Sequence, residues 1–171
     1  MGFNYTFTSM NDVRELRDLV DFISAQDLGY PKYPEWVQRA EHELIAGYKH
    51  AVIAFSEGHV VGDVVFQPHK KLSGLVEMKN LRIHSDFRMR DFARFMLRQV
   101  EVENPGYFAM ICDVRSDQPE VINYLKRIGF DPIASLPLYD PTIPDITMIK
   151  FLDKDREKRK GIVSLVQGVI V

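Results

Sequence analysis

Hydrophobic and polar residues recur along this chain with two different periods, which separates helical from extended segments. Apolar residues at helical spacing predict a first helix that begins near Asn11 and keeps this spacing to Ile23, and further helices over residues 35–47, 90–103 and 119–128. Alternating or short continuous apolar runs predict strands over residues 5–8, 50–55, 59–66, 75–84, 107–114, 130–136 and 145–152. The predicted order is one strand, two helices, three strands, a helix, a strand, a helix and two strands.

Residues that cap helices or interrupt ladders indicate where these elements end. Ser9 is predicted to cap the first helix, and Gly47 to end the second. A loop is predicted between the last two strands, because proline cannot donate to a ladder, and this segment contains Pro137, Pro141 and Pro144.

Composition limits the classes of protein to consider. The 171 residues, 46% of them hydrophobic, predict one packed domain, and a net charge of −2 argues against nucleic acid as a partner. We expect a cytoplasmic protein with no membrane partner, because the first residues lack a signal-peptide pattern and residues 162–171 are too few to span a bilayer. Cys112 is the only cysteine and is expected to be buried rather than nucleophilic, and His42 lacks a second histidine at metal-ligand spacing, so no metal is predicted.

The most informative segment is the one in which the strand ending near His84 turns into the next helix. Arg88, Arg90 and Arg94 lie at the start of that helix. A helix N-terminus presents unpaired N–H groups, and guanidinium groups beside them favour phosphate oxygens. The segment therefore predicts a binding site for a phosphate-bearing cofactor.

The order of elements and the residues at these turns resemble the GNAT superfamily of acyl-CoA-dependent N-acyltransferases, over about residues 4–152. The superfamily's cofactor motif, Gln or Arg, two residues, Gly, one residue, then Gly or Ala, falls on residues 88–93. Residues 61–64 resemble its preceding hairpin strand, and residues 118–130 resemble its late helix with a closing Gly-Phe. The resemblance implies an α+β (α/β) fold with a mixed, mostly antiparallel sheet of about seven strands, about four helices and a splay at two central parallel strands.

The resemblance also implies how acetyl-CoA would bind. The pantetheine arm would pair like an extra strand between segments 75–84 and 107–114, and the pyrophosphate would meet the main chain at the helix start. The implied cofactor-binding residues are Leu81, Ile83, Arg88, Met89, Arg90, Asp91, Phe92, Ala93 and Gln118. Asp91 departs from the family's glycine and places a carboxylate near the phosphates, although it can instead stabilise its own helix.

Amine acylation needs a base, and Glu77 is the first candidate. It lies eleven positions before Arg88, which resembles the strand glutamate of the histone-acetyltransferase branch. Alternatively, Glu77 pairs with Lys79 or Arg82. His84, at the strand end, is a second candidate base acting through water, or else a surface residue.

The departing thiolate needs an acid, and here the chain departs from the family again. The family's tyrosine falls on Leu125, and Tyr124 is one place away, which is about 100° around a helix. Tyr139, in the proline-rich loop, is another possible donor, and the thiolate can also leave unaided.

Two further segments carry open alternatives. Tyr30, Tyr33 and Trp36 either pack the first two helices or wall the acceptor pocket, as the resemblance implies. Residues 153–171 are charged and then apolar. We expect this extension of the 1–152 domain to pack as a strand or helix on the domain or on a second subunit, as in a homodimer.

The predicted function is transfer of an acetyl group from acetyl-CoA to a primary amine of a small molecule or peptide by direct attack. The alternative is a degenerate domain of the same fold that binds acyl-CoA or a protein without turnover, which Asp91 and Leu125 favour.

Overall fold

A computed structural model describes residues 5–27, 29–152 and 156–170 of the chain. The elements are β1 Tyr5–Ser9, α1 Val13–Ser24, α2 Tyr33–Ile45, β2 His50–Ser56, β3 His59–Pro68, β4 Leu75–Ile83, α3 Phe92–Glu103, β5 Ala109–Arg115, α4 Pro119–Arg127, β6 Asp131–Asp140, β7 Ile143–Phe151 and α5 Arg156–Ile170. The strands form one seven-stranded sheet in the order β1-β2-β3-β4-β5-β7-β6. The mixed sheet confirms the predicted fold class, and the described residues form one α-helix more than expected.

The start of α1 corrects the predicted cap. Ser9 pairs with Val52 in the antiparallel ladder of β1 and β2, so it is extended and cannot begin a helix. Asp12 is the N-cap instead, and its Oδ1 accepts a hydrogen bond of 2.8 Å from the Glu15 backbone N–H. The cap lies three residues later because the strand continues to Ser9.

The proline-rich segment corrects a second prediction. Pro137 lies inside β6 and Pro144 inside β7, so the connection between the two strands is shorter than the predicted loop. β6 is at the edge of the sheet, where a missing N–H faces no neighbouring strand, and the ladder with β7 is irregular between Leu136 and Asp140. Tyr139 is consequently a strand residue rather than a loop residue.

The chain divides into two compact units, and β4 contributes to both. The first unit contains the described residues up to Gln67 and the segment Met78–Asn104. α1 and α2 cover one face of its strands, and its core contains Leu16, Leu19, Ile23, Val37, Leu44 and Ile53.

The second unit contains Pro68–Glu77 and the described residues from Pro105 onward. Here the start of β4 pairs in parallel with β5, with Leu75, Val76 and Glu77 opposite Ala109, Met110 and Ile111. Its core contains Leu75, Ala109, Ile111, Ile149 and Val166. The second unit is therefore built from two segments distant in sequence.

The apolar end of the chain forms α5. Val166 has no exposed surface and belongs to the core of the second unit, and the Gln167 Nε2 donates a 2.7 Å hydrogen bond to the Ile133 carbonyl. The division of the chain at residue 152 and the pairing with a second subunit stay predictions. Among the helices described, none has the length and apolarity needed to cross a membrane.

Candidate functional site

The connection from β4 to α3 has an unusual backbone. A short 3₁₀ helix, Ser85–Phe87, follows β4, and Met89 and Asp91 then adopt left-handed conformations with φ of 63° and 58°. Such conformations cost most side chains about 1 kcal/mol or more, and Asp is among the residues that tolerate them best. The position at which the cofactor motif has glycine thus keeps the backbone geometry that glycine would favour, although an aspartate occupies it.

The N-terminus of α3 has no side-chain cap. Asp91 is the N-cap residue, and its carbonyl accepts from the Phe95 N–H at 3.0 Å, but its side chain makes no capping hydrogen bond within the described chain. Asp91 therefore precedes the first turn rather than lying inside it. The first N–H groups of α3 remain available for an anion.

The arginines beside this helix start are exposed but partly fixed. The Arg90 Nη1 donates a 2.7 Å hydrogen bond to the Tyr5 hydroxyl, and its guanidinium lies 5.5 Å from the centre of the Phe87 ring. The Arg88 Nε donates to the Ile83 carbonyl at 3.3 Å. Both guanidinium groups are thereby held near the α3 N-terminus.

An aromatic cluster anchors this region to β1. The Phe92 ring lies 4.8 Å from the Tyr5 ring, 5.3 Å from the Phe7 ring and 6.0 Å from the Phe87 ring, centre to centre. The contacts to Tyr5 and Phe7 are edge-on, which is a favourable arrangement for aromatic pairs. This cluster was not predicted, because its only signal in the sequence is the period-two spacing of Tyr5 and Phe7.

A buried polar network crosses β3 and β4 in the first unit. Asp63 is completely buried, and its Oδ2 accepts a 2.6 Å hydrogen bond from the Asn80 Nδ2. The Asn80 Oδ1 accepts from the Arg82 Nε at 2.9 Å, and the Arg82 guanidinium lies 5.0 Å from the centre of the Tyr33 ring. Burial raises the pKa of Asp63 to about 7, against the influence of Asn80 and Arg82.

This pKa predicts a pH-dependent contribution to stability. Between the ordinary carboxyl pKa of 3.8 and the native value of about 7, the folded chain holds a proton at Asp63 that the unfolded chain releases. The free energy of unfolding should therefore fall by up to about 1.4 kcal/mol per pH unit as the pH rises through this range. Asp63→Asn should remove this component.

Urea titrations of the wild type and Asp63→Asn at about pH 5 and about pH 8 would measure it. We expect the wild type to lose stability relative to the variant at the higher pH. If the free energy of unfolding changed with pH to the same extent in both proteins, Asp63 would not titrate in this range.

The aromatic residues between α1 and α2 differ in burial. Tyr33 is buried, its hydroxyl donates a 2.8 Å hydrogen bond to the Ile23 carbonyl, and its ring stacks on Trp36 with the centres 5.7 Å apart. Burial also raises the pKa of Tyr33 to about 12. Tyr30 and Trp36 are only partly buried. Tyr33 therefore packs the helices, and the role of the three residues in an acceptor pocket stays a prediction.

Glu77 lies in the second unit and is mostly buried, with 17% of its side chain exposed. Its Oε1 is 3.5 Å from the Nε2 of His69, whose side chain is 7% exposed. Lys79 and Arg82 were the predicted partners of Glu77, and the contact with His69 was not predicted. His69 follows the end of β3, and no local pattern shows that the hairpin returns its ring to β4.

The other candidate residues have varied surroundings. Leu125 is buried, whereas Tyr124 is partly exposed with the Arg127 guanidinium 5.9 Å from its ring centre, and Gln118 is the N-cap of α4 without a side-chain capping bond in the described chain. His84 is exposed, and its Nδ1 accepts from the Asp86 N–H at 3.4 Å.

Two negative expectations concern cysteine and metals. Cys112 is buried as predicted, and burial raises the pKa of its thiol. In the parts of the chain that the structure describes, no group of three or more His, Cys, Asp or Glu side chains is arranged to hold a metal ion.

Comparison with known proteins gives matches in structure but not in sequence. No protein-family model matches the chain, and no curated protein matches its sequence. A putative GNAT-family acetyltransferase from Desulfovibrio desulfuricans is similar with a TM-score of 0.77 and 14% identity, over 88% of this chain and all of that one.

Two characterised enzymes are also similar. The ribosomal-protein-S18-alanine N-acetyltransferase from Escherichia coli has a TM-score of 0.68 and 15% identity, over 90% of this chain and 97% of its own. An aminoglycoside 6'-N-acetyltransferase complexed with coenzyme A has a TM-score of 0.69 and 16% identity, over 88% and 98%. The predicted resemblance is thus confirmed at the level of structure, and the chain has the fold of the GNAT acetyltransferases.

Proposed function

We propose that this protein is an acetyl-CoA-dependent N-acetyltransferase that acts on a primary amine. The observation that carries the proposal is the uncapped N-terminus of α3, which follows β4 after the short 3₁₀ helix and has Arg88, Arg90 and Arg94 beside it. On the GNAT fold, this is the place at which the cofactor motif lies. The similar aminoglycoside 6'-N-acetyltransferase was crystallised with coenzyme A, which supports the choice of cosubstrate.

The residues at the helix start fit a diphosphate in most respects. Backbone N–H groups of the first turn and three guanidinium groups favour its negative charge. The main chain of Leu81–Ile83 would pair with the pantetheine arm, because the ladder that β4 forms with β5 in the described chain ends at Glu77. The Asp91 carboxylate opposes binding, since it is exposed on the same loop and has the same sign of charge as the diphosphate.

The proposed chemistry is direct transfer without a covalent enzyme intermediate. The amine nitrogen forms a bond to the thioester carbonyl carbon, the carbon–sulfur bond breaks, and the sulfur leaves with the electron pair. Glu77 accepts the proton from the amine, directly or through water, and the thiolate takes up a proton from Tyr124, Tyr139 or solvent. His84 is the second candidate base. Tyr30, Tyr33 and Trp36 are proposed to border the acceptor, and we propose a cytoplasmic location.

The acceptor is proposed as an amine of a small molecule or peptide. The two characterised enzymes of similar structure are named for acting on an aminoglycoside and on the alanine of a ribosomal protein. Calorimetry with acetyl-CoA and a thiol-release assay over a panel of such amines would test the proposal. Binding followed by amine-dependent thiol release is the expected result, and the absence of acetyl-CoA binding would refute the proposal.

Replacing Asp91 is expected to strengthen acetyl-CoA binding. Asp91→Gly removes a carboxylate close to the pyrophosphate and allows the φ of 58° without a side chain, so we expect the dissociation constant to fall by about fivefold. Asp91→Asn is the matched control, because asparagine tolerates the same conformation but has no charge. If the affinity for acetyl-CoA rises equally in both variants, the charge of Asp91 is the cause, whereas a rise in Asp91→Gly alone indicates that the backbone conformation is the cause. Unchanged affinity in both would place the phosphates elsewhere.

A binding module without turnover is the second candidate, and the buried Leu125 favours it. This residue occupies the position of the family's acid and belongs to the core, so it cannot donate a proton. Tight acetyl-CoA binding together with no thiol release for any amine would support this candidate over the enzyme.

A further inference from the structure

The hairpin that leads into β4 brings one histidine to the proposed base. His69 follows the end of β3, and its backbone N–H donates to the Leu75 carbonyl at 2.9 Å, so the intervening loop closes on itself. Gly74 in this loop has a φ of 78°, and a Cβ there would lie 2.7 Å from the Phe108 ring. The loop conformation is therefore fixed by close packing inside the second unit.

Backbone groups of the same loop determine which nitrogen of His69 bears a proton. The Nδ1 accepts hydrogen bonds from the N–H groups of Lys71 and Leu72, at 3.1 and 3.0 Å. A nitrogen that accepts from two N–H groups cannot also carry a proton, so the proton of the neutral ring is on Nε2. The Nε2 atom is 3.5 Å from the Glu77 Oε1, with both side chains largely buried.

From this arrangement we propose that His69 is a positioning residue for Glu77. Its Nε2–H holds one carboxylate oxygen of Glu77, and the two backbone donors keep the ring in the required tautomer and orientation. The carboxylate is then held in a constant direction toward the amine whose proton it accepts. The proposal rests on the function proposed above, because it assigns the orientation of the base in that reaction.

The location of His69 at the end of a strand does not by itself indicate a role, since many histidines at strand ends are surface residues. His69 differs because its ring is almost completely buried, and because the loop donates to Nδ1 twice. Buried polar groups retained in such a geometry restrict the motion of the group they contact. For a base, a constant direction matters because small displacements reduce proton-transfer rates strongly.

Two substitutions separate the two contacts of the ring. His69→Asn places an amide oxygen near the position of the histidine Nδ1, so the loop keeps an acceptor while Glu77 loses its donor. Gln in His69→Gln can place an amide N–H near the former Nε2, so Glu77 keeps a donor. His59→Gln, on an exposed histidine of β3, is the control for changing a histidine elsewhere.

Steady-state kinetics with the best amine of the panel would measure the effect on catalysis. We expect His69→Asn to lower kcat by about tenfold with the KM for acetyl-CoA unchanged, and His69→Gln to restore most of the loss. Equal losses in both variants would indicate that His69 only supports the loop. An unchanged kcat in His69→Asn would overturn the proposal.

Nitrogen NMR of the histidine rings tests the contact independently of any activity. We expect the proton on Nε2 in His69, and a shift of its Nε2 resonance in Glu77→Gln. A proton on Nδ1, or an Nε2 resonance that does not change in Glu77→Gln, would overturn the proposal even if the enzyme is active. If the resonances behave as expected but no amine is acetylated, the proposed function fails while the contact between His69 and Glu77 stands.

Discussion

Glu77→Gln is expected to reduce kcat for amine acetylation by about a hundredfold or more, with little change in the KM for acetyl-CoA. Glutamine has the size of glutamate and can still accept from the His69 Nε2–H, but it cannot take a proton from the attacking amine. The effect should therefore appear in the chemical step rather than in binding. Thiol release at saturating acetyl-CoA, with calorimetry for the affinity, would measure both.

The control for this substitution is Glu120→Gln, which changes an exposed glutamate in the first turn of α4. It removes the same charge from the second unit without touching β4, so its kcat should match the wild type. A wild-type rate in Glu77→Gln would exclude Glu77 as the base and leave His84 as the remaining candidate for proton acceptance.

Val166→Asp is expected to lower the free energy of unfolding by about 4 kcal/mol, which is at the upper end for single substitutions. Val166 has no exposed surface and contacts a core that contains Leu75, Ala109, Ile111 and Ile149. A carboxylate at this position would be buried without a partner among apolar side chains, and burial of an unpaired charge is costly. Urea denaturation followed by circular dichroism would measure the change.

Leu165→Asp is the matched control, because the neighbouring residue on the same helix is 51% exposed. Both substitutions introduce the same residue into α5, and the control loses at least as much helix propensity because leucine is a better helix former than valine. We expect Leu165→Asp to change the stability by less than about 1 kcal/mol. Equal losses in the two variants would show that α5 is not packed on the core through Val166.

Periodicity predicted the order of the elements because each element has its own local pattern. β4 shows this well: its alternation places Glu77 and Lys79 on one face and Asn80 and Arg82 on the other, and the buried network contains Asn80 and Arg82. The extents of β6 and β7 could not be predicted, because they depend on tertiary properties. Pro137 is tolerated in β6 because this strand is at the edge of the sheet, and Pro144 precedes Asp145, the first residue of β7 that pairs with β5.

The candidate site could be predicted only where its signal is local in sequence. The α3 start was recognisable from three arginines and the motif spacing. The hydrogen bond of Arg90 to Tyr5, 85 residues away, has no local signal, and neither has the turn that brings His69 to Glu77. The left-handed Asp91 illustrates a third case, in which the backbone geometry is retained although the residue that usually marks it is replaced.

The discontinuous second unit has a consequence for synthesis on the ribosome. The hairpin with His69 and Glu77 is translated early, but the core of this unit is complete only when Val166 of α5 has been translated. The first unit has all of its segments once Asn104 has emerged. Until Val166 has been translated, the core around Leu75 and Ala109 lacks one apolar partner, and incompletely covered apolar surface of this kind is prone to aggregation.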